Sequence, residues 1–223
     1  MLNLSLERIR EAVVFLIALI LSIAVHEFGH ALVADKLGDR TPRYQGRVTL
    51  NPLAHADLFG TIIFPLVGLL MQAPILFGWG KPVLVNPAAF TRKLRQKIGH
   101  LLVAAAGPAM NVVLALLVTL IYFVVLATGI VKPFGELARG IEHVIGLNWV
   151  LVFFNLIPCP PLDGGAVLAG LLPDRYNHVN EFLRQYGFII LIGLLVTGLT
   201  SIFVRPALYL TTASIRLVYS LLA

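Results

Sequence analysis

The sequence predicts an all-α polytopic membrane protein, a bundle of about five to six transmembrane or re-entrant helices with a small membrane-surface β element. Three observations lead there. Hydrophobic residues make up 58% of the 223 and charged residues only 13%, about half the usual share of a soluble domain. The mean hydropathy is +0.89. The apolar residues come in long runs, and the Lys and Arg residues behind a formal charge of +6 gather between those runs. That placement suits loops facing anionic lipid, and no aromatic residues interleave with the basic ones as a nucleic-acid surface would require. The lipid bilayer is therefore an expected partner and nucleic acid is not. The single Cys159 cannot form an internal disulfide, so stability rests on helix packing.

The run from Ala12 to Ala34 would rise about 34 Å as a helix, more than a roughly 30 Å hydrocarbon core. Arg8 and Arg10 in front give it the look of a secretory leader. No small-residue cleavage site closes it, so it is expected to be a retained span. Residues 35 to 59 carry Lys36, Arg40, Arg43 and Arg47 with Pro42, Gly46 and Pro52, which predicts a surface loop or hairpin whose strand is Arg47-Val48-Thr49-Leu50. Gly60 to Gly78 is apolar but broken by Pro65, Gly68 and Pro74, and Gly78 to Val85 reads as an extended edge segment. Arg92, Lys93, Arg95 and Lys97 form the densest basic cluster and mark a cytoplasmic loop.

Further spans are expected over 100–129 and 137–157, the second ended by Pro158, Pro160 and Pro161, with 158–165 irregular. A span over 187–204 and a weaker one over 207–223 complete the chain. Residues 1–223 form one transmembrane domain.

Three ionisable side chains interrupt the first span: His26-Glu27-Phe28-Gly29-His30. Histidines four apart project from one helix face and can share a metal ion, and the glutamate beside the first can reach a water on that ion. Three such groups in five membrane residues are costly unless they serve a site. A catalytic zinc needs a third protein ligand. It does not come from the metzincin pattern, because Val33 and Lys36 stand where that pattern needs Gly and His. Asp163 and His55 are the candidates. Asp163 is favoured, since prolines stiffen the approach to it, Gly164 and Gly165 allow close backbone passage, and a carboxylate beside a span needs a cation. Capping a helix that starts at Gly164 is the plainer account of Asp163. His55 lies in a basic loop where solvent accounts for it.

Asn111, Asn148 and Asn155 are amides inside apolar runs, each needing a partner in lipid. Asn111 and Asn148 are read as packing amides. Cys159 is read as a small hydrophobe. Glu142, in the run 137–157, has only His143 or solvent as a suggested partner.

Three pieces together resemble the site-2 protease family of intramembrane zinc metalloproteases: His26-Glu27-Phe28-Gly29-His30, then Gly107-Pro108-Ala109-Met110-Asn111, then Asn155-Leu156-Ile157-Pro158 running on to Leu162-Asp163-Gly164-Gly165. The resemblance implies that His26, His30 and Asp163 bind one zinc ion, that Glu27 is the general base, and that Asn155 helps hold the substrate peptide or its oxyanion. It implies hydrolysis of peptide bonds in membrane-spanning protein substrates within the bilayer; the basic runs 35–59 and 81–97 place this multi-pass protein in the cell membrane with its active site toward the cytoplasm. The resemblance further implies that Gly78 to Val85 pairs with an unwound substrate. No stretch is long and polar enough for the PDZ or CBS modules of larger members. The rival reading is a metal-binding membrane protein without hydrolysis, a transporter or inactive scaffold.

For His30 and Asp163 to meet, an even number of crossings must separate them. The spans 100–129 and 137–157 supply two, so Gly60 to Gly78 is predicted to re-enter rather than cross. The N-terminus then lies outside, against the indication of Arg8 and Arg10.

Overall fold

A computed structural model describes residues 6–70, 79–91 and 93–222, which form nine α-helices and no β-strand among the described residues. The first, α1 (Leu6–Lys36), shows how the apolar run sorts itself. Ala18, Ser22, His26 and His30, each one turn apart, are buried along one face, while Val13, Ile17 and Leu21 stand exposed on another. The exposed stripe is where lipid would lie.

Two single turns follow, α2 (Thr41–Tyr44) and α3 (Pro52–His55), the latter capped by Asn51, whose side chain accepts from the Leu53 N–H. The expected strand at Arg47–Leu50 is not formed. The Thr49 N–H turns back onto the Arg47 carbonyl at 2.9 Å, and the buried Arg47 guanidinium bonds the Ala54 and Lys81 carbonyls. A strand needs a partner ladder, and the extended segment from Trp79 offers only isolated bonds: Trp79 N–H to Gly60 O, Lys81 N–H to His55 O.

Those bonds also bring Trp79 back beside the residues that follow Asp57. Asp57 caps a π-helical turn (Leu58–Ile63) by accepting from the Phe59 and Gly60 N–H groups, and α4 (Phe64–Leu70) continues it. The two helical pieces, six and seven residues long, rise about 20 Å, short of a crossing. The chain is back at its starting level by Trp79, whose N–H reaches Gly60 O at 3.2 Å and whose carbonyl accepts from Thr61 Oγ1 at 2.8 Å. Entry and exit at one point are what the re-entrant reading requires. Residues 71–78 of that reading, Gly78 of the edge segment and Arg92 of the basic cluster lie outside the described residues.

The body of the bundle is α1 against α5 (Gln96–Ala127) and α6 (Glu136–Asn155). Its two ends are marked by ion pairs: Arg10 with Glu136 at one, Lys97 with Asp174 and the Leu172 carbonyl at the other. α7 (Asp163–Leu171) starts at the second end, after the proline-rich turn. Its glycines allow this, because a Cβ on Gly165 would stand 2.6 Å from Pro160.

A 3-10 turn (Asp174–Tyr176), α8 (Asn177–Val196) and α9 (Thr200–Leu222) close the chain. The expected span over 187–204 is therefore interrupted, at a turn where Gly198 takes a φ of 72°. Along α9, Tyr219 meets Tyr122 and Glu142 while Ser214 accepts from the Trp149 indole, so α9 runs antiparallel to α6. It begins at the Asp163 end, where Phe203 packs with Ile157, Cys159 and Leu191. α8, with the turn before it, is long and apolar enough to cross a membrane; Asp174 at its start pairs with Lys97, and its Leu191 packs with Ile157, Cys159 and Phe203. The main core lies among α5, α6 and α9, around Tyr122, Ile145, Trp149 and Val218. Glu142 finds its partners there, accepting from the Tyr122 hydroxyl at 2.6 Å, with the Tyr219 hydroxyl at 3.4 Å. His143 is not needed to explain it.

Candidate metal centre

α1 and α5 meet through complementary stripes. His26 and His30 on α1 face Val103, Gly107 and Asn111 on α5, which are also one turn apart. His30 Nδ1 lies 2.7 Å from the Val103 carbonyl and His26 Nδ1 lies 2.6 Å from the Asn111 carboxamide oxygen. Both partners are acceptors, so both Nδ1 atoms carry the proton, and in the neutral rings the Nε2 atoms are left to accept a metal. Gly107 sits flat beneath the two rings, and a Cβ there would overlap the Nε2 atoms of His26 and His30. Gly107→Ala is expected to push the imidazoles apart and to weaken metal uptake at least 10-fold, read by chelator competition; equal uptake would mean the rings have room to shift.

Asp163 completes the group. The irregular turn after α6 and the close start of α7 bring its Oδ2 to 3.0 Å from His26 Nε2 and 3.4 Å from His30 Nε2. The two Nε2 atoms are 3.1 Å apart. Asp163 Oδ2 is buried and has no hydrogen-bond partner among the described residues. With both rings neutral, three lone-pair atoms face one another, an arrangement that repels itself unless a cation sits at its centre. Ligands about 2.05 Å from a tetrahedral zinc would be about 3.3 Å apart, so the observed spacings fit such an ion.

Glu27 stands at the edge of this triangle, half-buried, its carboxylate within 4.8 Å of the histidine nitrogens. Its Oε2 accepts from the Val83 N–H at 3.3 Å, which sets the extended segment directly beside it. Asn155 ends α6 and donates to the Leu151 carbonyl at 3.0 Å; no hydrogen bond in the described structure ties it to the histidines. His55 is fully buried, not a solvated loop residue. Its Nε2 bonds the Thr49 carbonyl and its backbone carbonyl accepts from Lys81, so it braces the extended segment and stays apart from the His26, His30 and Asp163 atoms.

Sequence reasoning missed Asn111, read as a packing amide, and the Val103 carbonyl. The available signal was an amide in an apolar helix that also carries Gly107 one turn earlier. The Val103 carbonyl has no side-chain signature at all.

The arrangement offers three metal donors with an acid–base group alongside, and the comparisons with known proteins agree with that chemistry. The profile of Peptidase family M50 matches residues 14–146 and 135–196. A Bacillus subtilis (strain 168) protein named "Putative zinc metalloprotease YwhC" is 36% identical over 92% of this chain and 90% of its own length. A Mycolicibacterium smegmatis protein named "Putative zinc metalloprotease Rip2" is 31% identical over 80% of this chain, which spans 64% of that protein. "Zinc metalloprotease MJ0392" of Methanocaldococcus jannaschii is 23% identical over 84% of this chain and 43% of its own length. No solved structure matches.

Proposed function

The chain belongs to peptidase family M50, the site-2 protease family, and from that premise we propose that it is an intramembrane zinc metalloprotease in which His26, His30 and Asp163 hold a single zinc ion. The observation that carries the proposal is the convergence of the buried Asp163 Oδ2 on the His26 and His30 Nε2 atoms, with Glu27 beside the two imidazoles. Zinc bound there supplies Lewis acidity toward the scissile carbonyl and toward water. The rest belongs to the chain. Glu27 takes the proton of the attacking water and returns it to the leaving amine. The Val83 N–H keeps the Glu27 carboxylate aimed while it waits.

The substrate is a membrane-spanning protein helix. Such a helix hides its carbonyls in its own hydrogen bonds, so cleavage requires local opening, and the extended segment Trp79 to Val85 beside Glu27 offers a place for the freed groups to pair. Asn155, at the end of α6, contributes a carboxamide to hold the opened peptide. The single domain sits in the cell membrane with its site toward the cytoplasm, because Lys36, Arg40, Arg43, Lys93, Arg95 and Lys97 cluster at the end where α1 ends and α5 starts. Arg10, at the opposite end, is paired with Glu136 and so carries less weight against this orientation.

Purified protein tested on a single-span substrate in proteoliposomes is expected to contain about one zinc per chain, to lose cleavage on chelation and to regain it with added zinc. Cleavage that survives complete metal removal would refute the proposal.

A further inference from the structure

The His26–Asn111 bond is the outer end of a longer chain of contacts. The Asn111 amide nitrogen donates to the Ser22 carbonyl at 3.2 Å and to Asn148 Oδ1 at 2.9 Å. The Asn148 amide nitrogen in turn donates to Ser22 Oγ at 3.0 Å and to the Val144 carbonyl at 2.9 Å. Ser22, Asn111 and Asn148 are each 0% exposed. Both amides spend both of their hydrogens, so neither is free to turn over. A flipped Asn111 would set its nitrogen against the His26 N–H and its oxygen against two other oxygens.

We infer that Ser22, Asn111 and Asn148 form a buried amide relay that positions His26 as a neutral metal ligand with Nε2 bare, an inference that rests on the zinc-site reading of His26. Ser22 is one turn before His26 on the same face of α1, so the relay returns to the helix it orients and ties α5 and α6 to it. Asn111 and Asn148 are positioning residues here, acting through the imidazole.

The chemistry of the relay has a further consequence. Metal-bound histidines are often backed by carboxylates, which raise the basicity of the ring. Here both acceptors are neutral, a carboxamide for His26 and a peptide carbonyl for His30, which leaves Asp163 as the one anion among the donors and their backing groups. A neutral second layer fits a site embedded among apolar helices, where each further buried charge is costly. It also leaves the metal more electron-poor than a carboxylate-backed pair would.

The test compares four proteins: wild type, Asn111→Leu, Ser22→Ala and Trp149→Phe. Zinc affinity is measured by chelator competition, ligand geometry by the visible spectrum of the cobalt-substituted protein, and fold by apo-protein unfolding temperature. Asn111→Leu keeps the volume and removes the acceptor, and is expected to bind zinc 10- to 100-fold more weakly with an altered cobalt spectrum. Ser22→Ala removes only the hydroxyl that anchors Asn148 and is expected to weaken zinc several-fold. Trp149→Phe loses the bond to Ser214 next door and should lower the unfolding temperature with affinity and spectrum unchanged. If Asn111→Leu does not fold, Ser22→Ala decides. Wild-type affinity and spectrum in every folded variant would reduce the relay to helix packing and overturn the inference. A wild type that binds no divalent metal would instead refute the zinc-site reading itself.

Discussion

Glu27→Gln is expected to cut substrate cleavage by about 10²- to 10⁴-fold while leaving bound zinc near one per chain. The two halves of that result have different physical sources. A carboxamide has nearly the shape of the carboxylate, and its oxygen can still accept from the Val83 N–H, so the local structure and the three convergent donor atoms stay as they are. It cannot take a proton from water at neutral pH, so the acid–base step is lost. Parallel measurement of metal content and cleavage separates the protease reading from a metal-binding scaffold or transporter, which has no use for a base beside its ligands. Full activity in the variant would remove Glu27 from the mechanism. Loss of metal together with activity would make Glu27 a ligand instead.

Asp163→Ala is expected to abolish stable zinc binding, a larger loss than the roughly 10- to 100-fold that removal of a backing group produces. Oδ2 of Asp163 is the third corner of the triangle and its one anionic donor, and two imidazoles alone leave a zinc site short of a ligand. His55→Ala is the informative contrast. His55 is buried and bonds Thr49, so its removal should lower the unfolding free energy by about 1–3 kcal/mol through the unsatisfied carbonyl. Zinc content should stay unchanged. Metal loss in His55→Ala alone would reverse the ligand assignment.

The Asp163 case shows how far reading the chain could go. Capping a helix that starts at Gly164 is the plain account, and it does not hold: α7 starts at Asp163 itself, Leu162 takes the cap position, and no side chain caps the helix. What makes Asp163 a candidate ligand is the position of its Oδ2, which depends on how α7 is set against α1 and α5. The segment predicted to re-enter is a similar case, of which the structure describes only the two ends. Prolines and crossing parity argued for return, and the bond from Trp79 to Gly60 shows the return at the described ends. The β element failed for a reason outside its own residues. Arg47 to Leu50 has strand-like composition, but no second strand lies alongside, and the Arg47 side chain turns inward. The span expected over 187–204 was misplaced, because hydropathy cannot see a turn inside an apolar run: the long apolar helix ends at Val196, and a turn at Gly198 separates it from α9, which returns along α6.

By itself the sequence determined the membrane setting, the run of apolar helices and the pair of histidines with their glutamate, because these depend on composition and on spacing within one helix. Only the tertiary structure decided the rest. Asp163 is more than 130 residues from His30, Asn111 faces His26 from another helix, and the Val103 carbonyl that holds His30 is backbone. Donor atoms from separate helices converge only when packing sets the helices in register, and that register is a property of all the contacting faces together.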